Sequence, residues 1–326
     1  MQRTFRRHFL AAAAATALLP FAFPVGAQTD APLRMLLPVS AGSGVDTIAR
    51  AAQNSLSKAL GGQPVVIENL PGAGGVTGTS QLVKAAPDGR TIGLLSNNHA
   101  VNPSVFKNLP YDSLKDITPI SVVGETPFVL VVNVTRLPVT NGKELQAALQ
   151  AAPDKYNFAS SGNGTILHLA AEMFLDAAGA KARHIPYKGS GNMIAGLIGG
   201  QVDFGVLAVP AVQGQLKAGT LRAIGITGAR RVASLPDLPT LQEQGFKDVD
   251  VGGWFAVAGP KGMASADVKR IHDAVVTAWA SPEVKAAMAK QDNIIHPTTP
   301  EQAATFMASE QDRYARLVQK IGLKLD

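Results

Sequence analysis

Short apolar runs alternate with stretches of helical periodicity along most of the chain. The apolar runs predict nine strands. They lie at residues 33–37, 64–68, 91–95, 128–132, 156–159, 183–187, 202–208, 221–226 and 251–258. Helical periodicity is clearest at 45–60 and 165–178, where apolar residues recur every three or four positions and glycine follows. This alternation predicts an α/β fold with largely parallel sheets.

The end of the chain has a different pattern. Residues 264–280, 282–290 and 300–322 are predicted helices, separated by prolines. We expect them to form a helical closing segment that packs on an α/β domain. No single linker rich in proline, glycine or serine divides the chain.

The first 27 residues have the three-part layout of an export signal. Arginines form a basic head, an apolar stretch follows at 9–23, and small residues end the segment at Ala27. Cleavage near Ala27 predicts a periplasmic protein, if the host is a Gram-negative bacterium. Arg6 and Arg7 also fit a twin-arginine signal, so the Sec and twin-arginine routes both stay open. A retained membrane anchor is less favoured, because the apolar stretch is shorter than the ~20 residues of a spanning helix.

Composition and charge narrow the function classes. The chain of 326 residues has no cysteine, which excludes disulfides, thiolate zinc sites and a cysteine nucleophile. Its net charge is +6, from 30 basic and 24 acidic residues. Without the three arginines of the predicted signal, 27 basic residues remain and the net charge is +3. This balance gives no case for a nucleic-acid partner, although a modest positive field suits an anionic small ligand.

Two loops share one design, in which a strand leads through serine-rich and glycine-rich sequence into a helix. They are residues 36–46 and 158–165. Glycine lets a ligand approach the backbone, and the start of a helix offers unpaired N–H groups and a partial positive charge. Because both loops follow strands, they predict an anion-binding cradle at the carboxyl edge of the sheets. The competing interpretation is plain helix capping, which the spacing of Ser43 and Asp46 fits well.

A third loop, residues 186–192, also joins a strand to a helix and adds Ser190 as a candidate ligand contact. Asp203 follows at a predicted strand start, where it could contact a ligand or hold a loop in place. It could also be a solvated or capping residue without a role in binding. Tyr187 and Trp254 could wall an apolar part of a ligand, although core packing is the favoured interpretation of Trp254.

Motifs for catalysis and cofactors are missing. The glycine-rich stretch 69–75 has Thr77 where G-x-G-x-x-G needs its last glycine, and Gly142-Lys143 is followed by Glu144 rather than by Ser or Thr. The histidines are scattered without H-E-x-x-H, and no G-x-S-x-G nucleophile elbow occurs. We therefore expect no cofactor, no metal and no enzymatic activity.

The order and spacing of these motifs resemble those of the substrate-binding receptors of tripartite tricarboxylate transporters, the Bug receptors. The resemblance covers nearly all of the chain after the predicted signal. The stretches that carry it are 38–50, 68–75, 86–89, 159–169, 186–189, 200–203 and 235–240. The first loop departs from the usual family pattern, with Val39 in place of an aromatic residue, Ser43 in place of glycine and Val45 in place of threonine. These departures put the identity of the ligand in doubt.

The resemblance implies a type II periplasmic binding protein fold, with two α/β lobes joined by a hinge and a ligand cleft between them. One lobe would comprise residues 28–127 plus 252–326, and the other 128–251. In the family, a ligand carboxylate lies between the two serine-rich loops and is held by backbone N–H groups, hydroxyls and ordered water. The corresponding residues are Ser40, Ala41, Ser43 and Asp46 on one lobe, and Ser160, Ser161, Asn163, Thr165 and His168 on the other.

The function implied is that of a monomeric periplasmic receptor, which captures a small organic carboxylate and delivers it to the membrane permease of a tripartite tricarboxylate transporter. Two alternatives remain open. The closed receptor could instead dock on a sensor kinase and act in signalling. A secreted enzyme is less favoured, because the sequence has neither a nucleophile–base pair nor a metal cluster.

Overall fold

The computed structural model describes residues 31–153 and 155–323, so the predicted signal at 1–27 lies outside the described residues. Within them the chain forms eleven strands and ten helices. The strands are β1 Leu33–Leu37, β2 Val65–Asn69, β3 Thr91–Ser96, β4 Ile117–Thr126, β5 Phe128–Asn133, β6 Asn157–Ser160, β7 Arg183–Pro186, β8 Phe204–Ala208, β9 Leu221–Ile226, β10 Gly253–Pro260 and β11 Ile294–Ile295. The helices are α1 Gly44–Ala59, α2 Val76–Val83, α3 Asn97–Val105, α4 Gly142–Ala151, α5 Ile166–Ala178, α6 Ser190–Ile198, α7 Val209–Lys217, α8 Ser265–Ala280, α9 Pro282–Lys290 and α10 Pro300–Ile321. A single 3-10 turn, Ala73–Gly75, precedes α2.

All nine predicted strands occur, with ends that differ by at most two residues. The long strand β4 was not predicted, because Pro119 and Gly124 interrupt its apolar pattern. Pro119 is tolerated since the pairing of β4 with β10 changes register beside it. Gly124 is needed where β11 approaches, because a Cβ there would lie 2.2 Å from the carbonyl oxygen of Ile294.

The strands form two mixed sheets. The first has the order β11-β4-β10-β3-β1-β2, and the second has the order β7-β6-β8-β5-β9. Parallel pairing joins β1 to β2 and β3, and joins β6 to β7 and β8. However, β10 runs antiparallel to β3 and β4, and β5 runs antiparallel to β8 and β9. The prediction of largely parallel sheets was therefore wrong.

The antiparallel strands β5 and β10 are those at which the chain changes sheet. Only Pro127 separates the end of β4 at Thr126 from the start of β5 at Phe128, and the chain returns between β9 and β10. Each of these two strands arrives from the other sheet, and it therefore begins at the edge where the parallel strands of its own sheet end. It consequently runs antiparallel to them. Apolar periodicity reports burial and carries no information about strand direction.

Helices cover both sheets and bury their apolar faces on them. Side chains alternate along β1, as a strand requires. Leu33, Met35 and Leu37 pack in one cluster with α1, α8 and α9, which includes the fully buried Trp279. Leu36 faces a second cluster, which continues through α3 and α10 into the second sheet. In the described part of the chain, no helix is both long and apolar enough to cross a membrane.

Candidate ligand-binding site

A cavity of about 720 Å³ opens where the carboxyl ends of the parallel strands of both sheets meet. Six helices begin at this cavity, and the N-cap residue of each one lines it. These residues are Ser43 of α1, Gly75 of α2, Ser96 of α3, Thr165 of α5, Gly189 of α6 and Ala208 of α7. Because a helix start carries about half a positive charge, the cavity is surrounded by positive ends of helix dipoles.

The first predicted loop is held in shape by its own side chains. Ser43 caps α1, since its Oγ accepts the Asp46 N–H at 3.2 Å. The Asp46 carboxylate accepts the Gly42 N–H at 2.9 Å and pairs with Arg50 at 3.0 Å. It also accepts a hydrogen bond from Asn69 at 2.9 Å. Burial alone would raise the pKa of Asp46, but these hydrogen bonds together lower it.

These contacts separate the candidate residues of the first loop. Ser40 and Ser43 line the cavity. The hydroxyl oxygen of Ser40 is buried and has no hydrogen-bond partner in the described structure. Ala41 is exposed, and Asp46 is buried behind the loop, so neither belongs to the cavity lining. The spacing of Ser43 and Asp46 does mark a helix cap, as the competing interpretation of the sequence holds.

In the second loop, Ser161, Asn163 and Thr165 line the cavity. Thr165 caps α5 and accepts the His168 N–H at 3.4 Å, while its hydroxyl also donates to Gly162 O at 2.9 Å. Ser160 is fully buried outside the lining, with its Oγ 3.0 Å from Gly162 O. Ser160 therefore shapes the loop rather than facing the cavity.

His168 belongs to a buried stack beneath the second loop and is not part of the cavity lining, unlike the direct ligand contact that the resemblance implies. It is 3% exposed and lies parallel to His184, with ring centroids 3.8 Å apart. His168 Nδ1 accepts the Gly164 N–H at 3.1 Å, which leaves the proton on Nε2, 3.4 Å from Glu172. Burial, with a smaller contribution from the neighbouring His168, lowers the pKa of His184 to about 3, so the His184 ring is neutral near pH 7.

The third loop contributes Ser190, which lines the cavity at the start of α6. Asp203 lies at the other end of the second sheet, just before β8, whereas the carboxyl end of that strand faces the cavity. Its carboxylate accepts the Asn157 N–H at 2.8 Å and pairs with Arg136 at 3.2 Å. Asp203 therefore ties strand ends together and is not part of the cavity lining, which matches the loop-holding alternative.

Loops of the two sheets touch across the cavity. Asn98, which follows β3, accepts the Ile166 N–H at the start of α5 at 2.8 Å. Gly189 packs against Ser40 so closely that a Cβ on the glycine would lie 2.6 Å from the Ser40 Cβ. The backbone of Gly189 has φ +92°, which also favours glycine. The two sheets are thus in contact around the rim of the cavity.

The remaining walls are aromatic and nearly uncharged. Phe106, Phe128, Tyr187 and Trp254 contribute to the lining. Trp254 is 3% exposed and its indole N–H donates to Glu310 at 2.8 Å, so it serves both as a wall and as part of the core. Of the described residues that line the cavity, only Lys188 is charged, and none is acidic. Nor do the described residues group three or more metal-binding side chains.

Sequence reasoning missed the contribution of β3 and of the crossing segments. Ser96, Asn97 and Asn98 line the cavity, as do Thr126 and Gly253. The run Ser96-Asn97-Asn98 after an apolar strand has the same strand-to-helix design as the serine-rich loops, and it was a usable signal. Thr126 had no such signal, because its position depends on where the chain crosses between the sheets.

Comparison with known proteins places the chain in one family. The model described as "Tripartite tricarboxylate transporter family receptor" matches residues 48–323. The chain is 37% identical over 308 residues to Protein BugT of Bordetella pertussis. This alignment covers 93% of this chain and 94% of BugT.

Solved structures agree with this assignment. The periplasmic binding protein BugD matches with a TM-score of 0.87 and 31% identity, over 91% of this chain and 99% of that one. An R. palustris protein solved with adipate matches with a TM-score of 0.87 and 28% identity, over 91% and 99% of the two chains. These matches confirm the predicted α/β periplasmic binding protein fold and the expectation that the protein is not an enzyme. The chain belongs to the family of tripartite tricarboxylate transporter receptors, the Bug receptors, which are periplasmic solute-binding proteins.

Proposed function

We propose that this protein captures a small organic carboxylate in the periplasm and delivers it to the membrane permease of a tripartite tricarboxylate transporter. The observation that carries the proposal is the lining of the cavity, where six helix starts meet and no acidic residue occurs among the described residues. Such a site attracts a negative charge without a dedicated cation. The adipate bound in the R. palustris relative supports a carboxylate as the ligand class.

The ligand carboxylate binds between the serine-rich loops in this proposal. The proposed contacts are the cavity-lining members of the predicted set, Ser40, Ser43, Ser161, Asn163, Thr165 and Ser190. The unpartnered hydroxyl of Ser40 is a ready donor, because a buried hydroxyl without a partner is otherwise costly. The buried Asp46, Ser160 and His168 hold the two loops in shape and act on the ligand indirectly.

Two lobes close on the ligand. One comprises residues 28–127 plus 252–326, and the other comprises 128–251. The contacts of Asn98 with Ile166 and of Gly189 with Ser40 support closure, since each pair joins loops of different sheets. A ligand that touches both lobes stabilises the arrangement in which they meet.

Isothermal titration calorimetry tests the ligand class. Ligand-stripped protein is titrated with mono-, di- and tricarboxylates, and adipamide serves as a neutral control with the shape of adipate. We expect at least one carboxylate to bind in the ~μM range and adipamide not to bind. Binding of neutral or cationic compounds in preference to every carboxylate would refute the proposal.

Delivery to a permease needs a separate test in cells. A strain that lacks this protein should lose uptake of the labelled carboxylate, and a copy with residues 1–27 should restore it. A copy without residues 1–27 should not restore uptake, because it lacks the segment predicted to direct export. Normal uptake in the deletion strain, with loss of gene induction by the carboxylate, would instead favour the signalling alternative.

A further inference from the structure

Thr126 places a hydroxyl at the base of the cavity, on the segment by which the chain crosses between the sheets. It is the last residue of β4, and Phe128 begins β5 two positions later. Thr126 lines the cavity and is 5% exposed. Its Oγ1 atom is fully buried and has no hydrogen-bond partner in the described structure. An unpartnered buried hydroxyl on a residue that lines a cavity marks a position where a ligand atom can complete the bond.

The threonine side chain is held in place by packing. Thr126 lies opposite Gly253 in the pairing of β4 with β10. A Cβ on Gly253 would lie 2.4 Å from Cγ2 of Thr126 and 2.6 Å from the ring of Phe128. The glycine therefore leaves room for the threonine methyl group, and this contact fixes the direction of the hydroxyl.

Neighbouring polar side chains of the crossing region are already engaged. The Asn97 amide donates to Tyr314 and to Gly252 O, while its oxygen accepts the Trp254 N–H at 2.9 Å. The Trp254 indole N–H donates to Glu310. Neither side chain is available to a ligand without breaking a buried bond, whereas the Thr126 hydroxyl has no hydrogen bond to break.

A helix start lies at the same edge of the first sheet as Thr126. Strand β10 separates β4 from β3, and α3 begins at Asn97 directly after β3. The N-cap of α3 is Ser96, and its side chain makes no capping hydrogen bond. The unpaired N–H groups of this nine-residue helix and the Thr126 hydroxyl flank β10 from its two sides. Both are hydrogen-bond donors, and both suit an anionic oxygen.

We infer that Thr126 is a specificity-determining residue, which donates a hydrogen bond to a second carboxylate of the ligand and so selects dicarboxylates over monocarboxylates of equal chain length. This inference rests on the proposed function, because the first carboxylate is bound by the serine-rich loops. Phe128, Trp254 and Ala208 also line the cavity, and their apolar surfaces suit the methylene chain of such a ligand. Without the hydroxyl, this end of the cavity would favour an apolar chain end.

The test uses one isosteric variant, one variant that keeps the hydroxyl, and two matched ligand series. Calorimetry compares succinate, adipate and suberate with butanoate, hexanoate and octanoate. Thr126→Val removes the oxygen and keeps the shape, whereas Thr126→Ser keeps the hydroxyl and removes the methyl group. We expect the wild type and Thr126→Ser to prefer the dicarboxylate of a pair. Thr126→Val should lose about tenfold in dicarboxylate affinity and change less than twofold toward the monocarboxylate.

The outcomes separate this inference from the proposed function. Equal affinities of the wild type for both members of every pair, or a preference for the monocarboxylates, would overturn the role of Thr126 and leave a carboxylate receptor. An equal loss toward both series in Thr126→Val would show a merely structural role and would also overturn it. Failure of the wild type to bind either series would contradict the proposed function itself. Thermal melting of each variant confirms that it is folded.

Discussion

Replacement of Asn98 by alanine should weaken ligand binding although Asn98 need not touch the ligand. Its side-chain oxygen accepts the Ile166 N–H at 2.8 Å and so caps α5 from the opposite sheet. When the two loops separate, water can hydrate both groups, and the bond therefore stabilises only the closed arrangement. Asn98→Ala removes this contact without placing a new atom in the cavity.

The size of the effect follows from one hydrogen bond. A typical intramolecular hydrogen bond contributes about 1 kcal/mol net, and 1.4 kcal/mol corresponds to a factor of ten in affinity. We therefore expect the dissociation constant to rise by about fivefold. Asn98→Asp should behave differently. A carboxylate at the start of α5 strengthens the contact in the empty protein, but it repels an anionic ligand, so the empty protein should become more compact and bind more weakly.

Asn141→Ala is the matched control. Asn141 also caps a helix, since its side-chain oxygen accepts the Glu144 N–H at 2.9 Å. Both residues lie at the start of α4, so this bond does not join the two sheets. Asn141→Ala should reduce thermal stability about as much as Asn98→Ala does, and it should leave the ligand affinity unchanged. Calorimetry gives the affinities, and small-angle X-ray scattering gives the radius of gyration with and without ligand. Wild-type affinity and compactness in Asn98→Ala would refute the closure argument.

Two further predictions follow from the loops. Gly189→Ala should reduce the ligand affinity measured by calorimetry more than Gly219→Ala does. Both glycines have positive φ, +92° and +68°, but only a Cβ at position 189 would meet another residue, Ser40. Equal effects of the two variants would count against close packing of the loops. In circular-dichroism melts, the free energy of unfolding should be constant above about pH 6.5 and fall toward pH 3. The unfolded chain protonates His184 near its ordinary pKa of 6.5, whereas the folded protein keeps it neutral down to a pKa of about 3. His184→Phe, which keeps an aromatic ring in the stack but cannot be protonated, should flatten this dependence. An unchanged slope would assign the dependence to other groups.

The sequence predicted those features that depend on local pattern. Periodicity located all nine of the predicted strands, and the strand-to-helix loops around Ser40, Ser161 and Ser190 do line one cavity. The physical reason is that loops after parallel strands share one edge of a sheet, so their serine and glycine content can be interpreted before the fold is known.

The direction of individual side chains could not be predicted in this way. His168 follows the same capped turn as Thr165, yet it packs on His184 from a separate strand. Asp203 sits beside a strand whose far end faces the cavity, and only the three-dimensional register shows which end that is. Thr126 depends on the crossing of the chain between sheets. Each of these positions is set by residues distant in sequence, which a one-dimensional pattern does not bring together.

The position of β10 has a consequence for how the molecule is made. The five strands of the second sheet are consecutive in the chain, from β5 to β9, so that sheet can assemble as soon as they leave the ribosome. The first sheet has to wait, because β3 and β4 pair only through β10, which is translated after the whole of the second sheet. Until Gly253 and its successors emerge, β3 has one unpaired edge and β4 has two, because β11 follows later still. A nascent chain stalled before that point would present these edges to chaperones or to its neighbours.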